Sequence, residues 1–305
     1  MIQTSQTTTP QTLEIRNLDL ALPNGARLLR DVSLTLAAGE VRALVGESGA
    51  GKSMIGKAVL GILPPNIRVT RGQILLDGMD LGALSAAERR NTVAKISALI
   101  PQDPLTALNP VRKIGPQITD PLTRIHGWDH GRARARAIEL LDRVHIRAPE
   151  RVMGSYPHEL SGGMRQRILI AAAFAPSPRL IVADEPTTAL DVTVQKQILR
   201  LIRELQRETG TAVLFVTHDM GVVAKISQKV TVLFAGRVLE DAPTRAVFEA
   251  PTHPYTRALI AATPTPNVSA EPFQPVPAAL IDALRAETAQ ADALARNPSR
   301  RGGQS

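Results

Sequence analysis

Val41-Arg42-Ala43-Leu44-Val45-Gly46-Glu47-Ser48-Gly49-Ala50-Gly51-Lys52-Ser53 runs without a break from an apolar strand pattern into a glycine-rich turn. The five leading residues form a compact apolar run, the signature of a strand covered on both faces. The next eight fit G-x-x-x-x-G-K-[ST], and a helical pattern over Lys52–Leu63 opens on the last two of them. Strand, turn and helix in that order make a cradle for phosphate. Glycines let the backbone curl so that successive N–H groups point inward, and the helix N-terminus adds the positive end of its dipole. Gly46, Glu47, Ser48, Gly49, Ala50 and Gly51 then surround the β-phosphate of a nucleotide. Lys52 supplies a point charge between the β- and γ-phosphates, and Ser53 offers a hydroxyl to Mg2+.

Working outward, Leu13–Leu22 alternates as a half-exposed strand should, while Ile96–Ile100, Leu180–Ala183 and Ala212–Thr217 are short apolar runs. Val230–Leu233 is turned by Ala235-Gly236 into Arg237–Glu240. Helical patterns cover Arg132–Val144, Met164–Ala175, Val192–Glu208 and His253–Ala262. Strands alternating with helices predict an α/β fold with a largely parallel sheet. Residues 104–160 carry Pro104, Pro110, Pro116 and Pro121 and no run that reads as a buried strand, so they are expected to form a helical insertion. Residues 264–277 are Pro-rich, and Ala278–Arg296 is Ala-rich, with Leu280, Ile281, Leu284, Ala291 and Leu294 near one stripe. Such a stripe suits docking on the core, on a partner, or neither. Ser299–Ser305 has the composition of a disordered tail.

Composition narrows the chemistry. With 305 residues, 44% hydrophobic and 21% charged, the chain has the make-up of a folded globular protein. It has no cysteine, which excludes disulfides, thiolate zinc sites, Cys-ligated iron–sulfur clusters and a Cys nucleophile. A formal charge of +8 suits anionic partners without choosing among them. The polar start, MIQTSQTTTPQTLEIR, lacks the pattern of a secretory signal, and no apolar run approaches the ~18–20 residues of a membrane span.

Leu180–Ala183 ends in Asp184-Glu185. Strand C-termini of a parallel sheet line its ligand crevice, where one carboxylate can hold Mg2+ through water and a second can deprotonate or orient the attacking water. Leu160-Ser161-Gly162-Gly163-Met164-Arg165-Gln166-Arg167 opens a helix at which Ser161 can N-cap and the two glycines leave N–H groups open to an anion. Gln102 follows the strand Ile96–Ile100, Asp191 follows the acidic pair, and His218 follows Ala212–Thr217. Together, in this order, these motifs resemble the ATP-binding-cassette (ABC) ATPases over roughly residues 11–262. Four segments resemble the ATPase subunits of dipeptide and oligopeptide importers: Ile100–Pro110, Tyr156–Arg167, Asp184–Thr193 and His253-Pro254-Tyr255-Thr256-Arg257-Ala258-Leu259. The last is uncommon in exporters of the family.

The resemblance implies a P-loop NTPase core over 11–262, a helical subdomain inserted at about 104–165, and a partly disordered C-terminal extension over 263–305. It implies that two such subunits pair head to tail, each ATP lying between Gly46–Ser53 of one and Ser161, Gly162 and Gly163 of the other. It implies that Gln102 ligates Mg2+ and senses the insertion, that Asp184 binds Mg2+ through water, and that Glu185 is the general base. His218 would contact the γ-phosphate, and Asp191 would link the two sites. The partners implied are two membrane-spanning permease subunits, an identical or homologous ATPase and an extracytoplasmic solute-binding protein. The chain would sit peripherally on the cytoplasmic face of the cell membrane, with no nucleic acid involved. A soluble ABC ATPase acting on nucleic acid or ribosomes, or an exporter ATPase, is the alternative.

The chain departs from the family in two respects. Its one Trp, two Tyr and five Phe all lie at or after Trp128, so no aromatic ring precedes the phosphate loop to stack on adenine. Leu22–Leu29 is left to supply an aliphatic or arginine platform, through Arg27 or Leu28. The cysteine cluster that some relatives carry near the C-terminus is absent, and residues 265–305 carry no evident family pattern. His126-x-x-x-His130 has metal-like spacing but adjoins Gly127 and Gly131 and lacks further ligands, while Arg132, Arg134 and Arg136 would scatter around a helix as a solvated or partner-facing surface.

Overall fold

The computed structural model describes residues 11–188, 190–263 and 275–296. Residues 264–274 of the Pro-rich stretch and the tail Ser299–Ser305 lie outside them.

The chain opens with β1 (Gln11–Ala21) and β2 (Arg27–Ala37), then enters β3 (Val41–Val45), the phosphate-type loop and α1 (Lys52–Val59). It leaves the loop region through β4 (Arg68–Leu76), the short β5 (Met79–Asp80), α2 (Ala86–Ile96) and β6 (Ser97–Ile100). Between β6 and the next strand only helices occur among the described residues. They are α3 (Pro104–Ala107), α4 (Ile114–Arg124), α5 (His130–Arg143), α6 (Pro149–Met153), a 3-10 turn at Pro157–Glu159 and α7 (Gly162–Phe174). The chain then returns through β7 (Leu180–Asp184), α8 (Val192–Thr209), β8 (Ala212–Val216), α9 (Met220–Ile226), β9 (Lys229–Phe234) and β10 (Arg237–Pro243). It closes with α10 (Thr244–Glu249), α11 (Pro254–Ala261) and α12 (Ala278–Arg296).

Two sheets result. One has the order β10-β9-β3-β8-β7-β6, parallel except for the β9–β10 hairpin. The other is antiparallel, β2-β1-β4-β5. Strands β3 and β8 are buried at every residue, because alternate side chains enter different cores. Val213 and Phe215 face a core with Ile118, Leu141, Ile168 and Phe174 of the inserted helices, whereas Leu214 and Val216 face Ile55, Val59 and the antiparallel sheet. Burial on both faces explains why these strands read as unbroken apolar runs.

Strand β1 departs from the half-exposed alternation expected of it. It is the inner strand between β2 and β4, its pairing shifts register near Arg16, and Asn17 takes φ 49°. This bulge adds a residue and flips the side-chain sequence, so Leu18, Asp19, Leu20 and Ala21 are all buried in succession. The C-terminal stripe also resolves. Leu284 is buried in a third core with Val230, Val232, Tyr255 and Leu259, Leu280 and Ile281 pack against that core, and Leu294 is exposed and outside it. On α5, Arg132 lies 3.9 Å over the Trp128 ring and Arg136 reaches Glu139 and the Ala175 carbonyl. His130 opens that helix, and His126 precedes it in the turn, its imidazole held below the usual value by burial and then by Lys95.

One buried ion ties the strand before the loop to its neighbours. Arg42 of β3 is 1% exposed. Its guanidinium donates to Thr231 Oγ1 at 3.0 Å on β9, pairs with Asp241 on β10, and lies 3.5 Å from Glu40. Arg42→Ala would leave Asp241 without its guanidinium and Glu40 with Lys229 alone, and should cost roughly 3 kcal/mol in urea unfolding. Arg245→Ala, at an exposed i,i+4 pair with Glu249, should stay within about 0.5 kcal/mol of wild type in the same assay.

Candidate functional site

The loop after β3 depends on the missing side chain of Gly46. Its φ is 150°, and a Cβ there would lie 2.1 Å from the Leu233 carbonyl oxygen of β9. Only glycine lets the chain turn so close under the neighbouring strand. From there the loop folds back on itself, with Ala50 N–H donating to the Glu47 carbonyl at 3.1 Å, and α1 begins at Lys52. Lys52 Nζ is buried and donates to the carbonyls of Gly46 and Glu47 at 2.7 and 2.9 Å. Burial holds its ammonium below the ordinary lysine range, against the opposing pull of Glu185, Asp184 and Glu47.

The acidic pair ends β7 directly opposite. Ser53 Oγ donates to Asp184 Oδ1 at 2.8 Å. Burial raises the Asp184 carboxyl, the bond from Ser53 opposes that, and the neighbouring Glu185 charge adds to it. Glu185 stands at φ 46°, a left-handed conformation costing roughly 1–2 kcal/mol for a residue with a side chain. Its N–H is satisfied by the Val216 carbonyl at 3.0 Å. Three side chains converge on its Oε2: Thr188 Oγ1 at 2.8 Å, His218 Nδ1 at 3.2 Å and Gln102 Nε2 at 3.3 Å. These arrive from the ends of three parallel strands, β6, β7 and β8. Thr217 and Asp219 flank His218, Thr217 Oγ1 accepting Asp219 N–H at 3.1 Å while Asp219 caps α9.

A cleft of about 260 Å3 opens over this arrangement, walled by Leu28, Gly49, Lys52, Met54, Gln102 and Glu185 among others. A larger cavity, about 540 Å3, lies elsewhere, between the end of α1 and β4, and contains none of these groups. Gly46, Glu47, Ala50, Asp184 and His218 stand behind these walls rather than in them, and Ser161, Gly162, Gly163 and Asp191 do not line the cleft either. Ser161 Oγ caps α7 at the Met164 N–H, 3.3 Å away, and Ser161 and Gly162 are exposed with open space where a Gly162 Cβ would stand. Asp191 caps α8, its Oδ1 accepting from Thr193 and Val194 N–H groups at 2.9 Å each.

Two contributors escaped the reading of the sequence. Thr188 bonds Glu185, and Tyr255 on α11 accepts the Glu47 N–H through Oη at 3.2 Å. Both lie in segments quoted for their resemblance, Asp184–Thr193 and His253–Leu259, but nothing local marks either as touching the site. Of the two candidates for the platform, Leu28 walls the cleft, while Arg27 turns to Asp19 at 2.9 Å.

Residues 29–188 match the family model for the ABC transporter, and residues 239–298 match that for the oligopeptide/dipeptide transporter C-terminal region. The chain belongs to the ABC transporter family. The second match overturns the expectation that residues 265–305 lack a family pattern, since it reaches residue 298. The chain is 44% identical over 263 residues to the oligopeptide transport ATP-binding protein OppD of Bacillus subtilis, covering 85% of this chain and 74% of that one. It is 45% identical over 273 residues to the probable D,D-dipeptide transport ATP-binding protein DdpD of Escherichia coli, covering 88% and 83%. Among solved structures it resembles a dimeric ATP-binding cassette in a post-hydrolysis state bound to ADP and Pi. That likeness has a TM-score of 0.67 at 27% identity and covers 76% of this chain and 99% of that one. The fold is thus a P-loop NTPase core of the ABC type, and the chain is an ATPase, the ATP-hydrolysing subunit of an ABC importer of the oligopeptide/dipeptide type. Among the described residues no helix is long and apolar enough to cross a membrane.

Tyr255 is fully buried against Phe234, ring centroids 5.0 Å apart, and burial pushes its hydroxyl up to about 12. Tyr255→Phe keeps the ring and removes only the acceptor for Glu47. It should cost about 1 kcal/mol in chemical unfolding and loosen ATP binding severalfold by calorimetric titration.

Proposed function

We propose that this ABC ATPase hydrolyses Mg2+-ATP at two shared sites in a head-to-tail dimer and so drives uptake of peptides or related small solutes through two membrane-spanning permease subunits. The observation that carries the shared site is the separation of its two halves. Lys52, Ser53, Gln102 and Glu185 line one cleft, with Asp184 held to Ser53 and His218 beside Glu185, whereas Ser161–Gly163, the N-terminus of α7, lines no part of it. A second copy or a homologous ATPase presenting its own Ser161–Gly163 to the γ-phosphate would complete each site. Asp191 then joins the two sites, with Val192 beside it 66% exposed.

The residues divide the chemistry simply. Gly46–Gly51 and Lys52 hold the phosphates. Ser53, Asp184 and Gln102 offer an all-oxygen set suited to a hard cation. Mg2+, when bound there, supplies neutralisation of the phosphate charge. Glu185 takes the proton from the attacking water. With Oε2 anchored by Thr188, Gln102 and His218, Oε1 is left to face that water, and the left-handed backbone turns the carboxylate into the cleft. His218 orients water and γ-phosphate. Phosphoryl transfer needs this alignment and charge stabilisation more than covalent help.

The cassette itself would comprise residues 11–262, with the helical subdomain at about 104–165. Leu105 and Val111, 61% and 80% exposed, follow Gln102 at the root of that insertion, an apolar surface for a permease to press on. Contact there reaches the Glu185 carboxylate through Gln102 in one step. An extracytoplasmic solute-binding protein would deliver the solute, and the chain would lie on the cytoplasmic face of the cell membrane through its permeases.

Glu185→Gln should retain ATP binding while hydrolysis by the assembled transporter falls by at least ~100-fold; turnover near wild type would remove Glu185 as base. Ser161→Arg should leave binding at the phosphate loop intact and block hydrolysis in trans. Full hydrolysis by that variant alone would refute the shared site.

A further inference from the structure

The C-terminal helix returns to the nucleotide cleft through a single carboxylate. Asp292 of α12 has a side chain only 14% exposed and lies against two arginines of β2. Arg30 Nη2 donates to its Oδ2 at 2.7 Å and Arg30 Nε to its Oδ1 at 2.9 Å, a bidentate pair, and Arg27 Nη1 reaches Oδ1 at 3.5 Å. Between these arginines stand Leu29, fully buried in the core, and Leu28, which walls the cleft beside Gly51, Ser53 and Met54.

The same strand is stitched to the phosphate loop through its backbone. Arg30 N–H donates to the Gly236 carbonyl at 2.8 Å, and Gly236 N–H donates to the Ala50 carbonyl at 2.9 Å. Arg30 Nη1 adds a bond to the Ala235 carbonyl at 2.6 Å. The approach is close enough that a Cβ on Gly236 would lie 2.1 Å from the Leu28 carbonyl oxygen. Leu28 is therefore held at its carbonyl by the Ala235-Gly236 turn, and the pair Leu28-Leu29 lies in sequence between two arginines whose guanidiniums both reach Asp292.

We propose that Asp292 is a positioning residue for the nucleotide base: by holding Arg27 and Arg30 together it fixes Leu28 as the aliphatic wall against which adenine lies. The inference rests on the ATP-binding reading above and adds to it how the base is held in a chain with no aromatic ahead of the loop. An aliphatic wall offers no ring to stack on, so its contribution depends on contact area kept in place before binding. Asp292 supplies that pre-organisation. Without its charge, two guanidiniums three residues apart lose their shared counter-ion. Arg27 keeps Asp19, but Arg30 is left with carbonyl contacts alone.

The test separates base from phosphate by comparing ATP with inorganic tripolyphosphate on the full-length protein, each titrated with Mg2+ by calorimetry. Asp292→Asn should weaken ATP about fivefold and leave tripolyphosphate within about twofold. Asp292→Glu, which keeps the charge, should recover most of the loss. Glu287→Gln, which breaks the exposed pair of α12 with Arg237, should change neither ligand. Leu28→Ala probes the wall without touching the ion pairs and should weaken ATP alone; adding Asp292→Asn to it should weaken ATP no further. Equal weakening of both ligands, no weakening of either, or additive losses in the double variant would overturn the proposal. A wild-type chain that binds ATP no better than tripolyphosphate would refute the base wall and leave the phosphate-loop reading standing. One that binds neither would refute both.

Discussion

Gly46 sets the position of everything else at the cleft. With its α-carbon pressed under the Leu233 carbonyl, the chain leaves β3 in a turn that folds back on itself and delivers Lys52 to the first turn of α1. The contact requires β3 and β9 to keep their register, Val45 opposite Val232, and Arg42 is the ion that ties those strands together with β10. The buried arginine and the loop are thus two ends of one five-residue strand. The strand's regularity carries a distant ion pair into the geometry of the loop.

The loop satisfies its own polar groups. Lys52 bonds the carbonyls of Gly46 and Glu47, and Ser53 bonds Asp184. A buried ammonium with no partner would cost far more than these bonds return, so the loop keeps its shape by lending Lys52 its own oxygens. The acidic side follows the same logic: Glu185 is strained at its backbone yet held at one oxygen by two hydrogen-bond donors, Thr188 and Gln102, with the His218 ring alongside. One of these, Gln102, opens the segment that leads into the inserted helices, which is how motion of that insertion would be felt at the carboxylate.

Much of this was legible because it is local. The loop, Asp184-Glu185 and the buried strands β3, β7 and β8 each declare themselves within a dozen residues, and the helical insertion appears as four prolines and an absence of strand pattern. What escaped was set by partners far away. Strand β2 is interrupted by Arg30-Asp31, with Asp31 at φ 55°, and β4 runs through six exposed residues before its first buried one. Both are strands because β1 pairs with them on either side. Helix α2 buries only Val93 and so has no apolar stripe, although its Ser85–Glu88 capping box was there to be read. Helix α4 contains Pro116 and Pro121, which read as breakers, yet Ile114, Ile118 and Leu122 are buried at a helical spacing of four. Thr188 and Tyr255 carry no local signal at all, since a hydroxyl becomes part of a site only when the fold brings a carboxylate or an N–H to it.

The C-terminal segments show how far such non-local dependence extends. Tyr255 meets the loop from below at Glu47, and Asp292 meets the strand beside it at Arg27 and Arg30. Neither segment contributes an atom to the cleft wall, so each can act there only by holding something that does. Each docks on an apolar surface, Tyr255 on Phe234 and α12 on the core around Leu284, and reaches toward the loop through a polar group, the Tyr255 hydroxyl or the Asp292 carboxylate. Apolar burial supplies adhesion without direction, and the hydroxyl and carboxylate supply direction. An extension lacking cysteine cannot hold a thiolate-bound cluster, but an extension docked in this way needs none to be felt at the site. Its effect travels through Arg30 and the Gly236 turn to the carbonyl of Ala50, a path of three residues between a terminal helix and the phosphate loop.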